Sequence, residues 1–367
     1  MNRFSFKFLG WAVVASVLFF SCEKTEEGGE ELVPQKTVKC LVVNQGNYSD
    51  ANGGISVLYS DGSLVNQAYQ NANGEPLAAI VESAVDCGNT WALMCANEDK
   101  IEFLDKNTFK SVAVVKGIST PRYGAVVGNA LYVTSSDFYN LSTNGLYKID
   151  LSTYKQTDYY PLEGTPEGVI YYDDCLWVAS ALYNAETWAS YDPYVCRFQL
   201  KNDMKKDVYK LEGSTMAARH LAVDKNGTIW ASLSAYGMDG QLVQVDTTER
   251  KLDNEITLAQ LNYPGHIYAS STGDQIYYMT TDGYSAGGAE EITTIKTIDV
   301  TSKSITTVVS GNGFYGFGVD GTTGDIYTAN VNGFQTNATM YIYTSTGEQK
   351  NEGDLVGVGA CRFLFPK

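Results

Sequence analysis

The chain has 367 residues, 42 of them acidic and 26 basic, for a formal net charge of −16 at pH 7. That surplus repels phosphate backbones, and the basic residues are scattered rather than clustered, so nucleic acid is excluded as a partner. With two histidines, His220 and His266, and no C-x-x-C spacing, a zinc site has little to build on, and neither metal nor cofactor is expected.

In chain order, residues 1–7 carry two positive charges, and an apolar stretch follows from 8 to 20. This is the layout of a secretory signal, too short to span a bilayer, which takes ~20 apolar residues. Ser21 then precedes Cys22, a pattern that resembles the cleavage box of bacterial lipoproteins. Residues 1–21 therefore read as a lipoprotein signal peptide and Cys22 as the lipidated residue. Residues 22–36 read as an acidic tether, with almost nothing that could enter a core. An acidic run directly after the lipid cysteine resembles the signal that sends lipoproteins of Bacteroides-like bacteria to the outer face of the outer membrane. The expectation is a cell-surface protein that touches the membrane through its lipid anchor alone.

About 330 residues remain, more than a single open core usually holds but suited to a closed or radially repeated β architecture. A repeat is present. The segments starting at Thr90, Leu131, Leu176, Ile229, Ile276 and Ile326 each follow a short turn, 41 to 53 residues apart, and one starting at Cys40 fits 50 residues before Thr90. Each copy reads as four short strands with tight turns between first and second and between third and fourth. A recurrent aspartate opens the latter turn, at Asp105, Asp150, Asp246 and Asp299. Their spacing does not match a calcium loop of the EF-hand type. Four strands per repeat of this length describe a propeller blade.

The ends complete the count. Residues 39–44 look like a second strand lacking a first, and residues 359–365 like a first strand lacking a second. Residues 37–367 are thus predicted to form an all-β, seven-bladed propeller with four antiparallel strands per blade, closed by pairing of the N- and C-terminal strands in one blade. Cys40, Cys87, Cys95, Cys175, Cys196 and Cys361 are an even number in an exported chain, but a domain this large does not need disulfide staples, and mostly buried free thiols are expected.

The long connections fall between second and third strands, at 44–54, 135–145, 180–194, 232–240, 280–291 and 330–338, all on one end of the ring. Long loops on one face of a rigid scaffold are the usual home of binding. They carry Tyr48, Phe138, Tyr139, Tyr183, Trp188, Tyr191, Tyr194, Tyr236, Tyr284 and Phe334. Rings with a flat face and a polar tip suit large or sugar-like ligands and protein surfaces, although any single one also suits loop packing. Where each inner strand begins, Arg122, Tyr123, Arg219, His220, His266 and Tyr315 should reach the rim of the central channel on the same end. The two arginines and two histidines there could bind amide, phosphate or carboxylate groups of a ligand, or could bond loop carbonyls.

The chain is poorly supplied as an enzyme, with no nucleophile elbow, no phosphate-binding glycine loop and no His-Glu-x-x-His helix. The loop carboxylates Asp137, Glu186, Asp192, Asp239 and Glu290 would support a glycosidase only at the right separation, and a lyase would use His220 or His266 as base. Binding without catalysis is the expectation.

Residues 43–48, 72–77, 101–110 and 117–123, with the late Phe314-Tyr315-Gly316 and the closing Gly359-Ala360-Cys361, resemble the YVTN/YncE-like seven-bladed propeller lipoproteins of Bacteroides-type bacteria. The resemblance spans nearly the whole mature chain. That group includes surface-exposed cobalamin-binding lipoproteins that sit over TonB-dependent transporters. The resemblance implies a surface lipoprotein that binds cobalamin or a related corrinoid and delivers it to a TonB-dependent outer-membrane transporter. A propeller binding another protein or a glycan is the alternative, and a glycosidase or lyase ranks below both.

Overall fold

The computed structural model describes residues 36–263, 265–282 and 288–366. The expected signal peptide, Cys22, the tether up to residue 35 and the loop residue Tyr284 lie outside the described residues. Lys36–Lys367 forms one compact unit.

Among the described residues there are five four-stranded sheets and one of eight strands. The typical unit is a meander of consecutive antiparallel strands, as in Val81–Asp86, Thr90–Cys95, Lys100–Asp105 and Ser111–Lys116. The eight-stranded sheet is two such meanders, one from Val169 to Lys210 and one from Ala217 to Leu258. A single parallel pair at their outermost strands joins them, Lys210 opposite Lys251. In the remaining sheet the chain ends meet. Ala360–Leu364 pairs antiparallel with Val38–Asn44, Val42 opposite Phe363, and Gly54–Tyr59 and Leu64–Val65 follow outward. The sequence expectation that the two termini share one sheet holds.

Burial explains which strands sit where. Every residue of the second strands Thr90–Cys95 and Ile229–Ser234 is buried, whereas the outer strand Ser111–Lys116 buries Val115 alone. Strands covered on both faces can be apolar throughout, which is why the repeat shows as short hydrophobic runs instead of a clean alternation. At one register of these second strands an aromatic recurs, as Trp91, Tyr132, Trp177, Trp230, Tyr277 and Tyr327, and all six are buried. Leu41 takes that place in the terminal sheet.

Each meander shares a core with the next. Ala92, Ile101 and Phe103 pack with Leu131, Val133 and Ile149 of the following sheet. Trp230, Leu242 and Leu258 pack with Ile276, Tyr278 and Ile298. The last meander closes onto the first, where Tyr327 and Met340 meet Cys40, Val42 and Phe363. At this seam Gly316 lets the strand Phe314–Val319 run close to the closing strand, since a Cβ there would fall 1.9 Å from the carbonyl oxygen of Cys361.

The predicted turn aspartates act on backbone. Asp105 Oδ1 accepts the N–H groups of Asn107 and Thr108 at 3.1 and 2.8 Å, and Asp150, Asp246 and Asp299 accept the corresponding pairs in their own turns. The residue four positions on is left-handed in every case, at Phe109, Tyr154, Arg250 and Lys303. These carboxylates fix hairpin geometry. The six cysteines of this unit are free thiols, four of them buried.

Candidate functional site

The inner strands carry a buried chain of charges that crosses four successive meanders. Arg122 Nη1 meets Glu82 Oε2 at 2.8 Å, and its Nε meets Glu167 Oε2 at 3.0 Å. Glu167 Oε1 also accepts from Arg219 Nη1 at 3.1 Å. Tyr123 donates its hydroxyl to Glu82 at 2.9 Å. Backbone contacts set this register: Ser83 Oγ donates to the Arg122 carbonyl, Thr134 Oγ1 to the Glu167 carbonyl at 2.7 Å, and the Gly168 N–H to the Arg219 carbonyl at 2.8 Å. Burial works against the Arg122 charge, but the carboxylates of Glu167 and Glu82 outweigh it and hold the guanidinium firmly protonated. Burial, and then the negative charge of Glu82, push the Tyr123 phenol well above its ordinary range.

One layer further along the inner strands stand His220, His266, Tyr268 and Arg362. The two imidazoles stack with centroids 4.2 Å apart, and His220 meets the Tyr123 ring edge-on at 4.9 Å. The Arg362 guanidinium lies over the Tyr123 ring at 5.0 Å and the Tyr268 ring at 6.0 Å. Burial holds both histidines neutral, well below the usual imidazole range. The neighbouring His266, Arg362, Arg219 and Arg122 add to the effect at His220, as do Arg362 and Arg122 at His266. A cavity of about 230 Å³ is lined by Tyr123, His220, Tyr268 and Arg362 together with apolar side chains of the inner strands.

The loop end carries the second feature. Phe138 and Tyr183 meet edge to face at 5.1 Å, and Tyr139 and Trp188 at 5.4 Å, so the loop 136–144 and the neighbouring hairpin form one aromatic patch. Tyr139 is 87% and Trp188 61% exposed. Asn144 pins the loop, accepting the Asp137 N–H at 2.6 Å and donating to the Asp137 and Gly164 carbonyls. The hairpin is more regular than its sequence suggested. Strands Cys175–Asn184 and Ala189–Gln199 extend through most of the expected loop, because the pairing of Leu182 with Tyr191 and of Tyr183 with Ser190 continues outward past the sheet. Trp188 sits at the tip with φ 56°, in the left-handed region. Beside the patch runs a groove of about 540 Å³ whose lining includes Tyr159, Tyr183, Tyr191, Glu163 and Lys206.

The expected site residues thus fall into separate groups. Phe138, Tyr139, Tyr183, Trp188 and Tyr191 come together at the loop end. Tyr48 and Tyr236 are exposed in other loops, and Tyr194 is buried, donating to the Glu163 carbonyl. Phe334 packs against Tyr315 at 4.8 Å. Arg122, Tyr123, Arg219, His220 and His266 line the inner strands and are buried or nearly so. Both arginines are engaged with carboxylates and not with loop carbonyls. The loop carboxylates Asp137 and Asp192 accept backbone N–H groups, which accounts for their presence without a paired catalytic role. Among the described residues no three His, Cys, Asp or Glu side chains group as metal ligands would. Sequence reasoning missed Glu82, Tyr268 and Arg362. The one visible signal was an arginine set between Cys361 and Phe363 in a strand whose alternate residues enter the core.

Four-stranded meanders that share their cores in closed succession around a polar inner layer define the chain as a β-propeller. Residues 39–358 match the family described as a domain of unknown function (DUF5074), and the chain belongs to that family. No curated protein matches it. Among solved structures it is similar to a quinonprotein alcohol dehydrogenase-like protein from Bacteroides thetaiotaomicron, with 13% identity, 90% of this chain and 79% of that one covered, and a TM-score of 0.60. It is also similar to a functionally unknown protein from Desulfotomaculum acetoxidans, with 14% identity, 90% and 100% covered, and a TM-score of 0.60. A third is apo AztD from Citrobacter koseri, with 10% identity, 89% and 97% covered, and a TM-score of 0.57. At these identities the likeness is one of fold.

Proposed function

We propose that the protein is a seven-bladed surface lipoprotein that binds cobalamin or a related corrinoid on the aromatic patch of its loop end and hands it to a TonB-dependent outer-membrane transporter. The eight-stranded sheet counts as two blades under this reading, because among the described residues one strand pairing at the outer edge is all that makes its halves a single sheet. The observation that carries the binding site is the quartet Phe138, Tyr139, Tyr183 and Trp188, two edge-to-face pairs that leave large rings facing solvent. An isolated exposed aromatic needs no explanation, whereas a contiguous patch rimmed by polar groups marks an interaction site. A corrin disc with amide arms matches a shallow face of this kind better than a deep pocket. Cys22 would hold the propeller near its transporter and raise the effective concentration. The role is binding without chemistry, since the inner carboxylates Glu82 and Glu167 are committed to arginines.

Exposed Tyr48 and Tyr236, in loops away from the quartet, favour a second reading in which a protein or glycan spreads over a wider rim. Calorimetric titration of the purified protein with cyanocobalamin separates the two. One-to-one binding that Trp188→Ala weakens supports the corrinoid reading. Absence of both heat and thermal shift rejects it and leaves the protein or glycan partner.

A further inference from the structure

The inner layer of the ring holds three guanidinium groups against two carboxylates. Glu82 and Glu167 are shared between Arg122 and Arg219, while Arg362 makes no ion pair and no hydrogen bond among the described residues. Its neighbours are rings. Arg362 is half-buried, and Tyr123 and Tyr268 offset part of the cost of drawing its charge away from water, but charges so withdrawn are ordinarily matched by an opposite charge. Three more polar atoms in the same place lack partners: Nε2 of His220, Nε2 of His266 and the hydroxyl of Tyr268. The histidines are 6% and 7% exposed, so water does not readily serve them. Unpartnered buried polar groups are uncommon, and three of them in and beside a cavity that also holds a guanidinium without a counter-ion call for an account.

The cavity itself narrows the choice of ligand. Its volume of about 230 Å³ exceeds the ~150 Å³ that holds a benzene molecule, which leaves room for a ring-sized apolar body and one small polar group. Val169, Leu221 and Ile267 supply apolar walls. A planar carboxylate fits the guanidinium fork and balances its single charge. Phosphate would bring more charge than Arg362 matches and nothing to lay against the apolar walls. Access comes from the end of the short turns, where an opening of about 700 Å³ shares Ala84, Gly124 and Ile170 with the cavity and reaches Asp86, Lys106 and Phe365.

We propose that this cavity is a binding site for a small organic monocarboxylate with an apolar body, its carboxylate seated on Arg362 and hydrogen-bonded by Tyr268 and His220, with His266 stacked against His220. The site is separate from the aromatic patch and does not depend on what binds there.

Benzoate is the probe, with its neutral counterpart benzamide and inorganic phosphate beside it. The two histidines are the only ones in the chain, so protein labelled with nitrogen-15 histidine reports on the site directly. Benzoate should raise the unfolding temperature and shift the His220 imidazole signals, and Arg362→Met should weaken it by about tenfold or more. Trp188→Ala should leave benzoate binding unchanged. Should Arg362→Met fail to fold, the wild-type histidine signals decide alone. Unmoved imidazole signals, benzamide binding as well as benzoate, or phosphate binding where benzoate does not would each overturn the proposal.

Discussion

Glu167 Oε2 faces Arg122 Nε at 3.0 Å, and the other oxygen of the same carboxylate holds Arg219, so one 2%-exposed side chain ties together the inner strands of three meanders. Replacing Glu167 by Gln keeps its shape and removes the charge. Arg219 then loses its one carboxylate partner among the described residues while Arg122 keeps Glu82, and breaking a buried pair from one side costs about 3–5 kcal/mol. Urea unfolding should show a midpoint shift of that size with an unchanged slope. A shift below about 1 kcal/mol would mean that solvent reaches the network and screens it.

The two neutral histidines give stability a pH dependence with a definite sign. In the unfolded chain each titrates near 6.5, whereas burial and the neighbouring Arg362, Arg122 and Arg219 keep the folded imidazoles neutral well below that. Above pH 6.5 neither state takes up a proton and the contribution is fully present. As the pH falls below 6.5 the unfolded chain gains protons that the folded chain refuses, so stability drops by up to about 1.4 kcal/mol per pH unit for each histidine. Denaturant melts between pH 7 and 5.5 should show the decline, and His266→Gln should reduce its slope. A flat profile would place the folded imidazoles near their ordinary range.

Much of the fold was legible because turns and buried strands follow local rules. Asp105, Asp150 and Asp299 announce hairpins through the N–H groups two and three residues on, and the repeated apolar segments announce strands covered on both faces. Closure was legible from unpaired strand candidates at the two ends. The inner layer was not. Glu82 and Arg362 lie 280 residues apart in sequence, and nothing in either neighbourhood tells that one has an ionic partner and the other has none. Long-range pairing of this kind emerges only once the ring has closed. The same holds for the aromatic quartet, whose members were visible one by one while the contacts Phe138–Tyr183 and Tyr139–Trp188 were not.

The seam between the chain ends is testable by removing it. Residues 360–367 supply the strand that pairs with Val38–Asn44 and place Cys361 and Phe363 in the cores on either side. Their deletion exposes a sheet edge and opens two hydrophobic cores. The truncated protein should lose its cooperative thermal transition, and unchanged unfolding would defeat the closed-ring account. Gly316→Val probes the same seam more gently, because its Cβ collides with the Cys361 carbonyl, and should lower stability by about 2 kcal/mol or more.

Trp188 separates binding from stability. A bulky residue at φ 56° costs about 1–2 kcal/mol of backbone strain that glycine would avoid. Its edge-to-face contact with Tyr139, worth about 0.5–1.5 kcal/mol, repays part of this. Trp188→Gly should therefore change folding stability by less than about 1 kcal/mol in either direction, while removing the largest exposed ring of the patch. If that ring belongs to the ligand site, cyanocobalamin affinity should fall about tenfold or more, since one aromatic anchor commonly contributes more than 1.4 kcal/mol. Calorimetry and denaturant melts on the same variant read the two quantities independently. A variant that loses several kcal/mol of stability would assign Trp188 to packing. One that keeps both stability and affinity would move the site elsewhere on the loop end.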